Sequence, residues 1–151
     1  MFKSVKHFLG LWNRESANTA KVLAALTDES LGQQVVAGHR NLGQLAWHVA
    51  GSIGEIVHKT GLKFDASNDR SPVPARAAEI LEAYRMSADG LANAVRSSWT
   101  DETLEILDRM YGSELARGYT LELVVHHEIH HRGQMTVLMR QAGLVPPRIY
   151  G

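Results

Sequence analysis

The chain has 151 residues, with 16 Lys plus Arg against 16 Asp plus Glu, and it contains no cysteine. This length suits one domain with a substantial apolar core, which we expect to span residues 1–151, and the balanced charge argues against nucleic acid or an anionic membrane as a partner. The absence of cysteine excludes disulfides, thiolate zinc fingers and a cysteine nucleophile, and no apolar run is long enough to span a membrane, so we expect a soluble, unprocessed, cytoplasmic protein.

Two amphipathic helices are predicted in the first part of the chain. Apolar residues recur at helical spacing from Val5 to Leu26, which predicts the first helix. A second helix is predicted from about Leu42 to His58. Asn41 resembles its N-cap, Gln44 is the reciprocal partner three residues later, and Gly61 is a natural stop.

The second part of the chain predicts two more helices and two connections. Residues 63–74 are rich in Asp, Ser, Asn and Pro, which indicates a loop. Helical spacing predicts a third helix from Ala77 to about Trp99. Residues 100–118 are ambiguous, because their start could open a short helix while residues 104–108 alternate like a strand, and we interpret them as a connector. The fourth helix is predicted from an N-cap at Thr120 to about Gln141.

Four long amphipathic helices and no convincing strand pattern predict an all-α fold. The expected architecture is a four-helix bundle of the up-down type with one longer connection. Bundles of this kind build metal sites from side chains on facing helices, so histidines on the core-facing sides become candidate ligands.

Four of the eight histidines lie within residues 126–131 of the predicted fourth helix. Winding this helix at about 100° per residue predicts a core-facing side formed by Val124, His127, His131, Met135 and Leu138. The solvent side is predicted to carry Glu122, Arg132, Thr136 and Arg140, with His126 and His130 on the flank. Histidines at positions i and i+4 point the same way and can hold one metal ion between them. We therefore interpret His127 and His131 as metal ligands, with a hydrogen-bonded pair of core histidines as the alternative.

A third protein ligand would have to lie upstream, because no acid or histidine follows His131. The available groups are His7, His48, Glu55 and His58. On the second helix His48 lies at the edge of the apolar face near Glu55, whereas His58 lies on the other side. His48 is therefore the preferred third ligand, and an ordinary boundary histidine is the alternative.

The segment from His127 to His131 also matches the zinc-protease pattern in which two histidines flank a glutamate that acts as general base. Such proteases take a further ligand downstream, which this chain lacks, so we do not expect a protease. Glu128 winds towards the edge of the apolar face. The alternative to a general base at this position is an ion-pairing residue on the helix surface or between helices. Glu55, Glu128 and Gln134 are candidates for orienting a bound group or a ligand imidazole, and each could equally be structural.

Several segments carry a resemblance to a known family. They are Leu45–Ala50, which contains His48, then His127–Gln134, Arg140–Pro147 and the closing Ile149-Tyr150-Gly151. In this order and spacing the chain resembles the DinB/YfiT-like superfamily of four-helix bundles over nearly its whole length. The most specific part is the histidine followed by Arg-Gly-Gln.

The resemblance implies a divalent metal ion, usually nickel or zinc, held by three histidines that match His48, His127 and His131. It also implies a homodimer. Members with a known role include thiol S-transferases that use bacillithiol and maleylpyruvate isomerases that depend on mycothiol. Modest support for the dimer comes from Trp47, which winds away from the apolar face of its helix, although it could instead pack under the loop before the third helix.

Three histidine ligands leave a coordination position open, which is typical of a catalytic metal. We expect an enzyme acting on a small-molecule substrate, in which the ion activates a low-molecular-weight thiol cosubstrate for S-transfer. The first alternative is a metal-dependent hydrolase that uses metal-bound hydroxide. The second is a non-catalytic, metal-binding stress-response protein in which the ion only stabilises the fold or a dimer.

Overall fold

The computed structural model describes residues 1–150, so that Gly151, the last residue of the expected domain, lies outside it. The structure is mostly helical, with four long helices and a small two-stranded sheet. The elements are α1 (Val5–Ala24), α2 (Leu42–Val57), α3 (Ala77–Ser98), β1 (Leu107–Met110), β2 (Ser113–Ala116) and α4 (Arg117–Gln141). Short 3-10 helices lie at Glu29–Gly32, His58–Thr60 and Glu102–Glu105.

Local capping signals place the start and end of α2 as predicted. The Gln44 N–H donates to Asn41 Oδ1 at 2.7 Å, and the Asn41 N–H donates to Gln44 Oε1 at 2.9 Å. Gly61 ends the following 3-10 turn at a φ of +82°, which a residue without a Cβ adopts freely. The predicted N-cap of the fourth helix was wrong, because α4 begins at Arg117 and the buried Thr120 hydroxyl bonds the Ala116 carbonyl within the first turn.

The all-α prediction was wrong in the connector before α4. Strands β1 and β2 form an antiparallel hairpin in which Leu107 pairs with Ala116 and Met110 with Ser113. The two-residue turn has positive φ at both Tyr111 and Gly112, as a type I′ hairpin turn requires. The strands are only four residues long and the turn lacks the usual Asn-Gly or Asp-Gly pair, so the sequence carries a weak hairpin signal.

The long helices enclose a common core. Helix α1 packs against α3 and α4, and α2 packs against the same two helices. Trp12 is fully buried in this core, where its indole N–H donates to the Ala88 carbonyl at 3.0 Å. No helix within residues 1–150 is long and apolar enough to cross a membrane.

Glycines on α2 and α3 let the loop before α3 lie directly against the helix backbones. A Cβ added at Gly51 would lie 2.4 Å from the Asp69 nitrogen, and one added at Gly54 would lie 2.6 Å from Ala66 Cβ. On the other side, a Cβ at Gly90 would lie 2.7 Å from a carbonyl oxygen of the same loop. The loop therefore contacts the backbones of both α2 and α3.

Trp47 packs beneath this loop. Its side chain is buried, and its indole N–H donates to the Ser71 carbonyl at 3.1 Å. Packing under the loop before the third helix is the alternative given above for Trp47. The side chain therefore gives no support for a dimer.

Candidate metal centre

Three histidines from two helices converge on one point between α2 and α4. His48 comes from α2, and His127 and His131 come from successive turns of α4. The Nε2 atom of His127 lies 3.2 Å from Nε2 of His48 and 3.2 Å from Nε2 of His131. Zinc–nitrogen bonds of about 2.0–2.1 Å place neighbouring nitrogen ligands roughly 3.0–3.4 Å apart, so these separations fit one shared ion. The group could hold a divalent metal ion.

Two of the three imidazoles are oriented through their other ring nitrogen. His48 Nδ1 lies 3.2 Å from Asp69 Oδ2, and His131 Nδ1 lies 2.7 Å from Gln134 Oε1. An Nδ1–H that donates to an oxygen leaves the Nε2 lone pair free to bind a cation. Gln134 also meets His130 Nε2 at 3.1 Å through its amide nitrogen, which fixes the orientation of the amide.

Partial burial keeps the three histidines neutral. It lowers the pKa of His127 to about 4, and the neighbouring His131 and His48 add to this shift. Burial also lowers the pKa of His48, to which the Arg40 guanidinium adds, and burial likewise lowers the pKa of His131. Neutral imidazole is the form that binds a metal ion, so at neutral pH the three side chains are in their metal-binding form.

Asp69 is a site residue that the sequence did not reveal. Residues 63–74 have the composition of an ordinary loop, and nothing in their spacing places a carboxylate against α2. The available signal was the pair Gly51 and Gly54 on the second helix, which marks a surface that another backbone approaches. Asp69 reaches His48 because this loop lies against those glycines.

The other candidate residues are dispersed. Gln134 lies beside His131, as described above. Glu55 is engaged by Lys59 and by the Tyr111 hydroxyl at 3.2 Å, so it bonds the hairpin turn rather than a histidine of the group. The upstream alternative His58 bonds the Phe64 carbonyl at 3.1 Å. Within residues 1–150, the three-histidine group does not include the exposed His7 and His126.

Glu128 lies in the core rather than at the edge of the apolar face. Its side chain is 2% exposed, and one carboxylate oxygen accepts a hydrogen bond from the Tyr84 hydroxyl at 2.5 Å. Burial raises the pKa of Glu128 to about 7, against the lowering effect of hydrogen bonds from Thr19 and Tyr84. It is next to His127 in sequence, but a rotation of about 100° turns it towards α1 and α3.

Arg132 also lies in the core, so its predicted place on the solvent side was wrong. It is 3% exposed, and its guanidinium pairs with Glu15 Oε2 on α1 at 2.7 Å. The core-facing side was predicted on the side of His127 and His131, whereas the buried residues of α4 include Val125, Glu128 and Arg132, so the true core-facing side is rotated about the helix axis. Glu15 occupies a core position in line with Trp12 and Thr19 on α1, and a charge at such a position requires a buried partner.

A cleft of about 550 Å³ opens beside the histidine group. His131 and Gln134 form part of its lining. Its walls are otherwise mainly aliphatic and come from the segment before α2, from α2 and from the second half of α4. This volume is within the usual range of about 300–1,000 Å³ for small-molecule pockets, so a small ligand in the cleft can reach His131 of the group.

Comparison with known proteins gives consistent matches over the full length. The sequence model of the DinB family matches residues 1–151. The uncharacterized protein YrdA of Bacillus subtilis (strain 168) is 42% identical over 151 residues, which cover 100% of this chain and 90% of that protein.

Two solved structures are similar to this chain. A DinB-like protein from Bacillus cereus ATCC 10987 has a TM-score of 0.95 and 42% identity, covering 99% of this chain and 100% of that one. The DinB-like protein YjoA of Bacillus subtilis has a TM-score of 0.66 and 19% identity, with 96% of each chain covered. At that identity, the second comparison shows similarity of fold alone.

Proposed function

Because this chain belongs to the DinB family, we propose that it is a metal-dependent enzyme whose divalent ion is held by His48, His127 and His131. The observation that carries the proposal is the convergence of three imidazole nitrogens from two helices beside an open cleft. Imidazole ligands suit nickel or zinc. When bound, such an ion supplies Lewis-acid chemistry that lowers the pKa of a thiol or a water molecule.

The proposed reaction is transfer of a low-molecular-weight thiol to a small electrophilic substrate. The chain has no cysteine, so the sulfur must come from a cosubstrate. The thiol gives its proton to solvent water, its sulfur forms a bond to an electrophilic carbon, and the bond from that carbon to the leaving group breaks, with the electron pair going to the leaving group. Asp69 and Gln134 hold the imidazoles of His48 and His131 in place, and the cleft beside His131 provides space for the substrate.

Elemental analysis of the purified protein tests the ligands. We expect about one divalent ion per chain, and a large loss of bound metal in His48→Ala and His131→Ala. His126→Ala is the matched control, because His126 is an exposed histidine of the same helix. Full metal occupancy in both ligand variants would contradict the site.

A conjugation screen with bacillithiol, mycothiol and glutathione tests the reaction. We expect at least one of these thiols to be joined to an electrophile by the metal-loaded protein and not by His48→Ala. Hydrolysis of model esters that depends on His48, without conjugation, would favour a hydrolase instead. Unfolding on chelation, without either activity, would favour a non-catalytic metal-binding protein.

The proposal extends to the whole molecule. We propose that residues 1–151 form a single four-helix-bundle domain of the up-down type with one longer connection, and that it works as a cytoplasmic homodimer. The packing of every long helix against two others supports the bundle. Sedimentation equilibrium tests the dimer, and a monomeric mass at micromolar concentration would remove it.

A further inference from the structure

The cleft beside His131 combines an exposed aliphatic surface with one arginine. Its aliphatic residues are Val35, Val36, Leu45, Val137 and Leu138. Three of these residues are more than half exposed, with values of 64% for Val35, 55% for Val36 and 51% for Val137. A cluster of exposed aliphatic side chains around a concave surface is typical of a ligand-binding site.

The polar part of the lining is suited to negative charge. Arg40 lines the cleft, and no carboxylate in residues 1–150 lies within ion-pair distance of its guanidinium. The remaining polar residues there are His39, His131 and Gln134, and no acidic side chain contributes to the described lining. A bound ammonium group would therefore find no carboxylate partner, whereas a carboxylate would find a guanidinium.

Arg40 is also close to the candidate metal centre. It lines the same cleft as His131, one of the three candidate ligands. A ligand bound by Arg40 and packed against the valines would therefore lie next to the histidine group.

We propose that this cleft binds the organic substrate as a small amphiphilic anion, with its carboxylate held by Arg40 and its apolar body against Val35, Val36 and Val137. The role of this anion as the electrophile rests on the proposed function, whereas its binding to the cleft does not require the metal. The guanidinium can donate two parallel hydrogen bonds to the two oxygens of a carboxylate. An alcohol of the same chain length has only one oxygen and cannot accept this pair of bonds.

Titration with octanoate and with octan-1-ol tests the binding, because the two share an apolar chain and differ in charge. Binding is followed by NMR or calorimetry with the protein as purified, and again after chelation. We expect wild type to bind octanoate more tightly than octan-1-ol. We expect Arg40→Gln to weaken octanoate binding by about 10-fold to 100-fold, the usual effect of losing hydrogen bonds to a charged group, and to leave octan-1-ol binding unchanged.

The matched control is Arg85→Gln, which removes the same charge from an exposed position on α3 that lines a different surface depression. Val137→Glu provides a second test, because it places a carboxylate in the wall at an exposed position and should weaken octanoate binding without affecting the fold. Circular dichroism checks that each variant is folded.

Equal octanoate binding by wild type and Arg40→Gln would overturn the proposal. Equal losses in Arg40→Gln and Arg85→Gln would also overturn it, since the effect would then be one of net charge. Loss of octanoate binding on chelation would show that the ion rather than Arg40 holds the carboxylate, which again contradicts it. Arg40-dependent binding in a protein that binds no metal and conjugates no thiol would support the anion site while the proposed function fails.

Discussion

Arg132 connects three distant parts of the chain through hydrogen bonds in the core. Its guanidinium donates to the Glu15 carbonyl at 3.0 Å, to Thr19 Oγ1 at 3.1 Å and to Glu15 Oε2 at 2.7 Å. It also donates to the Tyr150 hydroxyl at 2.5 Å, and Tyr150 in turn donates to the Glu15 carboxylate. The charges of Glu15 and Arg132 are both buried, and each is stabilised by the other.

We predict that Arg132→Ala destabilises the fold by about 3–5 kcal/mol, because it leaves the Glu15 carboxylate buried without its partner. Urea denaturation measures the change in the free energy of unfolding. The double variant Glu15→Leu, Arg132→Leu should lose much less, since it removes both charges and restores apolar contacts. A double variant that is no more stable than Arg132→Ala would contradict this account, and Arg85→Ala is the exposed control.

The Glu15–Arg132 pair also predicts a pH dependence of stability. Burial alone would raise the pKa of Glu15, but hydrogen bonds from Tyr150 and Arg132, with the charge of Arg132, lower it below its usual value. The ionised carboxylate therefore stabilises the fold above the unfolded-state pKa of about 4.3, and this contribution is lost as the pH falls through the lower folded-state value.

We expect wild type to be more stable than Glu15→Gln at neutral pH. The two should converge as the pH falls from about 4.3 through the lower folded-state pKa, because Glu15 of the wild type becomes protonated over that range and is then uncharged like the amide. Urea titrations at a series of pH values measure the difference. Glu82→Gln, at an exposed position on α3, should show no such convergence. A constant difference between wild type and Glu15→Gln at every pH would contradict the assignment.

Residues of the site differ in how far the sequence predicts them. His127 and His131 share one helix, so their spacing of four residues is enough to place them together. His48 is on another helix. Its helical phase fitted a metal ligand and an ordinary boundary histidine equally well. Arg132 was misplaced because its partner lies 117 residues away, beyond the reach of any local pattern.

At the scale of elements, the loop before α3 contributes to the candidate site through its contact with α2. Gly51 lies one turn after His48, and the absence of a Cβ at this position lets Asp69 approach the helix backbone. Asp69 can then bond His48 Nδ1 at 3.2 Å. The glycine thus links helix packing to the orientation of a candidate ligand.

We predict that Gly51→Ala weakens metal binding by about 10-fold to 100-fold, the range seen when an orienting partner of a metal ligand is lost. The added Cβ would lie 2.4 Å from the Asp69 nitrogen, so the loop must move away from His48. Asp69→Asn should also weaken metal binding, because a neutral amide oxygen accepts from Nδ1–H more weakly than a carboxylate does. Competition with a chromophoric chelator measures the affinities.

The control for this substitution is Gly133→Ala on α4, where an added Cβ meets nothing within 4 Å. It makes the same chemical change on a helix that carries two of the candidate ligands, and it should leave metal affinity unchanged. Equal losses in Gly51→Ala and Gly133→Ala would show that the effect is not due to the loop.

Elements with local signals were predictable, and elements that depend on distant contacts were not. The capping box at Asn41 and the stop at Gly61 involve residues within one turn, and both were confirmed. The hairpin of β1 and β2 is held partly by the burial of Met110, which is 2% exposed, against the helical core. Four-residue strands gain little from their own pairing, so their pattern in the sequence is weak.

For the whole molecule, a bound ion would join α2 to α4. His48 and the pair His127 and His131 belong to helices that also pack through apolar side chains, so the ion would add a link between elements already in contact. An ion that binds the folded chain and not the unfolded one raises its stability by mass action.

We predict that nickel or zinc raises the Tm of the wild type. At an ion concentration one hundred times the Kd the gain is about 2.7 kcal/mol, which corresponds to roughly 5–10 °C in a chain of this size. Calorimetry with and without the ion measures the shift. His48→Ala should show little shift, and His126→Ala should behave as wild type. An equal shift in His48→Ala would place the stabilising ion elsewhere.

The network around Arg132 has a consequence for folding kinetics. The hydrogen bonds that reach Glu15 close loops of 117 residues from Arg132 and 135 residues from Tyr150. Contacts so distant in sequence form after the local helical contacts, because the chain entropy lost on closing a long loop must first be offset. We therefore expect Arg132→Ala to accelerate unfolding and to leave the refolding rate nearly unchanged in stopped-flow measurements. The buried ion pair would then determine how long the folded molecule lasts rather than how quickly it forms.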